Sequence, residues 1–307
     1  MSLQVTFLGT SGAVPTTDRN PSAVFVRREG DAMLFDAGEG TQRQMMRFGT
    51  GFDVRWIFLT HVHGDHVLGL PGLIETWDFN DRTDDLTVFT PTGTGREIRT
   101  LVHAIGTDPS YGVRVVEVDP DRTVVDEDEY EISTFATEHR TRSVGYALVE
   151  DERKGRFHRE RAEELGVPVG PKFARLHEGN PVELEDGTVV TPEQVVGEPR
   201  PGRTVVYTGD TRPTASVVRA ADGADLLVHD ATFDASASKR ARETGHSTAA
   251  EAGRVAAQAG VDRLVLTHIS SRYAGATGHL KSDAVDEFDG HVRVARDGDE
   301  VEVPYPD

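Results

Sequence analysis

The sequence predicts an α/β fold in which two β-sheets pack on one another and helices cover them. Three observations lead there. Short apolar runs of strand length alternate with helical segments. These strands fall into two halves with helices between them, the pattern of a layered sandwich. Between the halves, residues 151–202 are polar, rich in Pro and Gly, and carry few apolar residues at regular spacing.

In chain order, residues 5–8, 23–28 and 32–36 read as strands separated by turn chemistry at Asn20-Pro21 and Gly30-Asp31. Residues 40–48 read as a short helix, 56–60 (WIFLT) as a strand, and 68–79 as a helix with Pro71 near its start. Further strands are expected at 86–89, 113–118, 131–135 and 145–149. Within 151–202 only 157–165 has helical character, and the rest reads as an extended insertion. The rhythm then returns, with strands at 204–208, 226–229, 263–267, 291–295 and 300–303, and helices at 214–221, 249–259 and 282–288. The expectation is a single domain, 1–307, with an arm inserted at about 151–202.

Composition narrows the chemistry. The chain has no cysteine, which excludes disulfides and thiolate metal sites, so any metal must be held by His, Asp or Glu. It has no 18-residue apolar run to span a membrane. The first nine residues lack the basic, apolar and small-residue segments of a secretion signal, so a cytoplasmic protein is expected. The net charge is −19, and only four residues are lysine (Lys154, Lys172, Lys239 and Lys281). Many carboxylates with few lysines point to a protein that works in concentrated salt, where self-repulsion is screened. Such a chain repels nucleic acid at low ionic strength, so an RNA substrate needs a local basic surface or a site that binds mainly through geometry and metals.

The chemistry lies in Thr60-His61-Val62-His63-Gly64-Asp65-His66, four candidate ligands within six residues directly after an apolar strand. A loop at a strand end can fold such a set around a metal pair, with Gly64 supplying backbone freedom. His139, Asp210 and His268 also stand a short polar step beyond apolar strands.

This pattern resembles the metallo-β-lactamase superfamily, and the resemblance implies an αββα sandwich. It assigns His61, His63 and His139 to one metal, Asp65, His66 and His268 to a second, and Asp210 to a bridge between them. Two ions so held, zinc by expectation with manganese and iron equally suited to the donors, lower the pKa of a shared water and stabilise an oxyanion. Asp65 would also orient the attacking water or take its proton.

Further segments resemble the tRNA 3′-processing endonucleases (tRNase Z) within that superfamily. They are Gly9-Thr10-Ser11-Gly12 with Val14-Pro15-Thr16-Thr17-Asp18-Arg19-Asn20, Tyr207-Thr208-Gly209-Asp210-Thr211-Arg212-Pro213, His229-Asp230-Ala231-Thr232-Phe233, and Gly245-His246-Ser247-Thr248-Ala249. Thr17 stands where the family usually has Lys, and Asp230 where it has Glu. The resemblance implies that Arg19 and Asn20 lie beside the tRNA 3′ end and that His246, outside the ligand set, acts at the scissile phosphate. Asp230 would orient His246, with Thr232, Ser247 and Thr248 in support.

The insertion matches the family's arm, with the Gly-Pro motif at Gly170-Pro171. In residues 152–161, Arg153, Lys154, Arg156, Arg159 and Arg161 outnumber Glu152 and Glu160 by three, as a grip on a phosphate backbone requires. The implied activity is endonucleolytic removal of the 3′ trailer from precursor tRNA after the discriminator base, leaving a tRNA 3′-hydroxyl and a trailer 5′-phosphate. The implied assembly is a homodimer. Two other readings share the same residues: a metal-dependent phosphodiesterase or arylsulfatase for small substrates, and a tRNA-binding protein without catalysis.

Overall fold

The computed structural model describes residues 2–104 and 108–306. The chain forms two compact units: a larger one up to Val149 together with Arg203–Pro304, and a smaller one of Glu150–Gly202 with the residues from Tyr305.

The larger unit holds two seven-stranded sheets. The first runs, edge to edge, Glu300–Glu302, Leu3–Gly9, Ala23–Arg28, Asp31–Phe35, Trp56–Phe58, Leu86–Pro91 and Val113–Val118. The second runs His291–Val294, Arg263–Thr267, Leu226–Asp230, Thr204–Tyr207, Val144–Glu150, Tyr130–Ala136 and Thr123–Glu127. The first four strands of the second sheet are mutually parallel. Leu226–Asp230 and Arg263–Thr267, covered on both faces, are buried at nearly every position.

Alternation along the strands sorts side chains between two layers. Phe35, Phe58 and Phe89 point between the sheets, with Phe58 stacked on both neighbours at 4.9 and 5.1 Å, and meet Tyr146 and Tyr207. Their alternates Leu34, Ile57 and Val88 point outward and pack with Met45, Leu73, Ile74, Trp77 and Ile98 of helices Thr41–Phe48, Leu70–Phe79 and Gly95–Val102. On the second sheet Leu227, Leu264 and Leu266 pack with Val217, Val255 and Leu280 of helices Ala215–Ala220, Ala249–Ala259 and Gly278–Val285. The result is the expected helix–sheet–sheet–helix sandwich.

Several expectations are corrected. The helix at Gly95–Val102, the strand at Thr123–Glu127 and the helix at Ser238–Thr244 were not anticipated. The helix expected at 282–288 is Gly278–Val285, because Leu280 and Ala284 are the residues it buries. The smaller unit is not a coreless extension. It contains helices Arg159–Glu164 and Pro171–His177, a paired Val182–Glu183 and Val189–Val190, and a buried cluster of Ala162, Val167, Leu176, Val182, Val190 and Val195. Phe157 packs on Phe173 at 4.9 Å beside that cluster. Among the described residues no helix is long and apolar enough to cross a membrane.

Candidate metal centre

The residues singled out at strand ends converge. His61 and His63 follow Trp56–Phe58, His139 follows Tyr130–Ala136, Asp210 follows Thr204–Tyr207 and His268 follows Arg263–Thr267. Asp65 and His66 are not on a loop, as expected, but on the helical turn Gly64–Val67. Gly64 is not the residue that needs conformational freedom, since it has no positive φ. That need falls on Gly209, at φ +57, where a Cβ would lie 2.6 Å from Thr60 and block the approach of Asp210 to the His61 strand end.

The imidazole nitrogens face one another. His61 Nε2 lies 2.9 Å from His63 Nδ1, which lies 3.2 Å from His139 Nε2. On the other side His66 Nε2 lies 3.3 Å from His268 Nε2, itself 3.2 Å from Asp65 Oδ2. Asp210 sits between the two sets: Oδ2 is 3.5 Å from His61 Nε2, while Oδ1 is 3.4 Å from His66 Nε2 and 3.2 Å from His268 Nε2.

The outer hydrogen bonds decide which nitrogens carry protons. Thr60 Oγ1 lies 2.9 Å from Asp36 Oδ2, which can only accept, so the hydroxyl proton goes to Asp36. The same oxygen therefore accepts from His61 Nδ1 at 3.0 Å, leaving Nε2 as a lone pair. Likewise Thr232 Oγ1 donates to Asp230 Oδ1 at 2.7 Å and accepts from His268 Nδ1 at 2.8 Å. His139 Nδ1 donates to Gly245 O at 2.8 Å, and His66 Nδ1 donates to Asp36 Oδ2 at 2.7 Å. Lone pairs turned inward with N–H groups anchored outward are the arrangement of metal-binding histidines. The donor set therefore fits divalent cations of the zinc, manganese or iron type.

Electrostatics agree. Burial opposes ionisation of Asp210, yet His268, His66 and His61 hold its carboxyl well below the usual range. Burial would likewise depress His66, but Asp210, Asp36 and Asp65 push it well above its ordinary value. The pocket thus favours positive charge at its centre. Burial lowers His61 well below its ordinary value and lowers His63 and His139 as well, favouring the neutral form that binds metal.

His246 lies beside this centre, its ring 5.1 Å from His268 and 5.0 Å from His139. Its Nδ1 donates to Asp230 Oδ2 at 2.9 Å. Burial acts to lower its pKa, but Asp230 and Asp210 outweigh it and leave the imidazole at about 9. Asp230 is fully engaged, accepting also from Thr211 N, Thr232 N and Thr232 Oγ1. Ser247 Oγ donates to Thr211 O at 2.6 Å, and Thr248 caps helix Ala249–Ala259.

Two groups close to the centre were not foreseen. Asp36, buried at φ +57 after Asp31–Phe35, holds Thr60, His66 and Tyr207 together. The only sequence signal was its place after an apolar strand, shared with many turn aspartates. The second is the backbone of Ala13, whose N–H donates to Asp65 Oδ2 at 2.8 Å.

The residues expected to touch RNA fare differently. Arg19 is 7% exposed, and its Nη1 donates to Thr10 Oγ1 and Ala295 O, each at 2.6 Å. Its guanidinium holds the N-terminal loop to Thr10 and Ala295. Asn20 is similarly engaged, with its N–H on Asp297 and Nδ2 on Glu39 O. In the smaller unit Arg153 stacks on Tyr305 at 3.5 Å, and Arg159 and Arg161 pair with Glu163 and Glu164. Counting those two glutamates reduces the local excess of cations in 152–164 from three to one. Lys154 and Arg156 are exposed. Gly170 takes φ +148 and Pro171 opens the following helix.

Comparison with known proteins matches this picture. The family model of the metallo-β-lactamase superfamily matches residues 16–268. The chain is 65% identical over 307 residues to ribonuclease Z of Halobacterium salinarum, covering 100% of this chain and 99% of that one. It is 50% identical to ribonuclease Z of Methanosarcina acetivorans, with 99% of each chain covered. Among solved structures it is similar to human tRNase Z, short form, at a TM-score of 0.70 and 27% identity, covering 98% of this chain and 99% of the other. With a divalent-metal site of His and Asp donors on this sandwich, the chain belongs to the ribonuclease Z family of the metallo-β-lactamase superfamily.

Proposed function

We propose that the protein is the endoribonuclease that removes the 3′ trailer from precursor tRNA, cutting after the discriminator base. The observation that carries the metal-dependent part is the inward convergence of imidazole lone pairs on both oxygens of Asp210. The substrate rests on full-length similarity to chains named ribonuclease Z. A cytoplasmic location follows from that substrate.

In this reading His61, His63 and His139 hold one zinc ion, Asp65, His66 and His268 hold a second, and Asp210 serves both. The ions supply Lewis acidity and a water acidic enough to attack phosphorus near neutral pH. The chain's residues do the rest. Asp65, fixed by Ala13 N–H, orients the attacking water and takes its proton. His246, protonated through Asp230, turns its other ring nitrogen to the substrate and donates a proton to the departing 3′-oxygen. The expected products are a tRNA 3′-hydroxyl and a trailer 5′-phosphate.

The smaller unit serves as the arm that grips the tRNA body, with Lys154, Arg156 and the turn at Gly170-Pro171 facing solvent. A homodimer is favoured by Met46 and Phe79, 66% and 87% exposed on helices joined by a Gln42–Thr76 hydrogen bond. The test is a comparison of substrates with the metal-loaded enzyme: a precursor tRNA, a small activated phosphodiester and an aryl sulfate. Precursor tRNA should be turned over with the highest kcat/KM. Preference for either small substrate, or tRNA binding with no cleavage, would reject the proposal.

A further inference from the structure

Arg212 follows Asp210 by two residues, but its side chain reaches away from the metal centre. It is 12% exposed, and Nη1 donates to the backbone carbonyl of His246 at 2.5 Å. The same guanidinium grips Glu251 with both arms, Nη1 to Oε2 at 2.7 Å and Nη2 to Oε1 at 2.5 Å. Glu251 also accepts from Thr248 N at 2.9 Å, closing the capping box of helix Ala249–Ala259. That cap is complete without Arg212, since Thr248 and Glu251 satisfy each other. The fork therefore does something a helix start does not require: it ties the Asp210 segment to the backbone of His246.

We infer that Arg212 is a positioning residue for the cleavage step, fixing His246 relative to Asp210. The inference rests on the proposed role of His246. The ring of His246 is held from one side by Asp230 Oδ2, but a ring held only at Nδ1 can still shift with its own backbone. His246 N–H is tied to Ala241 O at 2.8 Å, the Arg212 bond to His246 O holds the other side of the same residue, and Ser247 Oγ on Thr211 O anchors the next. A planar, two-armed guanidinium sets distance and angle together, which a lysine ammonium does not. A shift of about 1 Å in a group acting on a reacting atom slows turnover about 100-fold. Arg212 makes no contact that would bind the body of the RNA, so its loss falls on kcat.

The test is a double-mutant cycle of Arg212→Ala and His246→Ala, with kcat and KM on labelled precursor tRNA and metal content of every variant. Arg212→Ala should lower kcat about 10- to 100-fold, leave KM within about twofold and retain the metals. In the His246→Ala background it should cause no further loss, because the group it positions is gone. Arg212→Lys should recover part of the rate. The paired Arg212→Gln, Glu251→Gln variant leaves no unpaired buried charge. It should fold and show the same kcat defect. Full additivity of the two alanine variants, a rise in KM alone, or loss of metal from a folded Arg212 variant would overturn the inference and leave the role of His246 standing. A wild-type rate in His246→Ala alone would overturn both, and that single variant tells the two failures apart.

Discussion

At the scale of single residues, the account turns on hydroxyls with one proton to give. Thr60 and Thr232 each donate to a buried aspartate, and each is thereby left to accept from a histidine Nδ1. Asp36 is the further anchor on this side, and it holds His66 directly. Asp36→Asn should weaken metal affinity about 10- to 100-fold while the fold persists, as measured by competition with a chelator. Unchanged affinity would show that His66 orients itself. His246→Ala should slow the chemical step with the metal content intact, whereas Asp65→Ala should lose both rate and metal, since Asp65 is assigned a ligand and a proton-handling role. Elemental analysis beside single-turnover kinetics separates the cases; loss of metal from His246→Ala would make His246 a ligand. The His and Asp of the centre were legible because four stand within six residues and three more follow apolar runs. Asp36 was not, because a lone Asp before Ala37-Gly38 looks like any turn residue, and its function appears only when His66 and Tyr207 fold onto it. The surroundings of Arg19 were hidden as well: this cation in a recognisable loop is buried by Thr10 and Ala295, which lie at opposite ends of the chain.

Among the elements, strands with an unbroken apolar centre, such as Leu264-Val265-Leu266 in Arg263–Thr267, were plain in the sequence because both faces are covered. The strand Thr123–Glu127 was missed because it is an edge with a single buried position, Val125, in an acidic run. The core of the smaller unit was missed because Ala162, Val167, Leu176, Val182, Val190 and Val195 follow neither a helical nor a strand period. That core bears on a deletion. Removing 151–202 with a short linker takes out a unit with its own buried cluster, and His139 and Asp210 lie on either side of it. The remaining domain should hydrolyse a small activated phosphodiester at close to the full-length rate, while precursor tRNA cleavage falls by orders of magnitude. Wild-type cleavage of precursor tRNA by the shortened protein would end the arm's role. Helix Ala249–Ala259 carries a different signature. Burial acts to raise Glu251, yet the bonds from Arg212 and Thr248 hold it below its ordinary value of 4.5. A carboxyl so depressed contributes stability that is present above that value and is lost as pH falls through the folded one. Glu251→Gln should therefore flatten the acid limb of stability below about pH 4.5, and an unaltered limb would contradict the linkage.

For the whole molecule, the contrast is between a net charge of −19 and a polyanionic substrate. The scarcity of lysine beside many carboxylates suits concentrated salt, and the relative at 65% identity is from Halobacterium salinarum. Concentrated salt screens the repulsion and at the same time weakens phosphate contacts, so geometry and the metal centre must carry more of the recognition. The most direct measurement is to incubate the metal-loaded protein with end-labelled precursor tRNA at high salt and map both product ends, with and without chelator. The account predicts a single cut after the discriminator base, a tRNA 3′-hydroxyl, a trailer 5′-phosphate, and no product once the metal is removed. Cleavage at another position, a 2′,3′-cyclic phosphate on the tRNA, or full activity in chelator would contradict it.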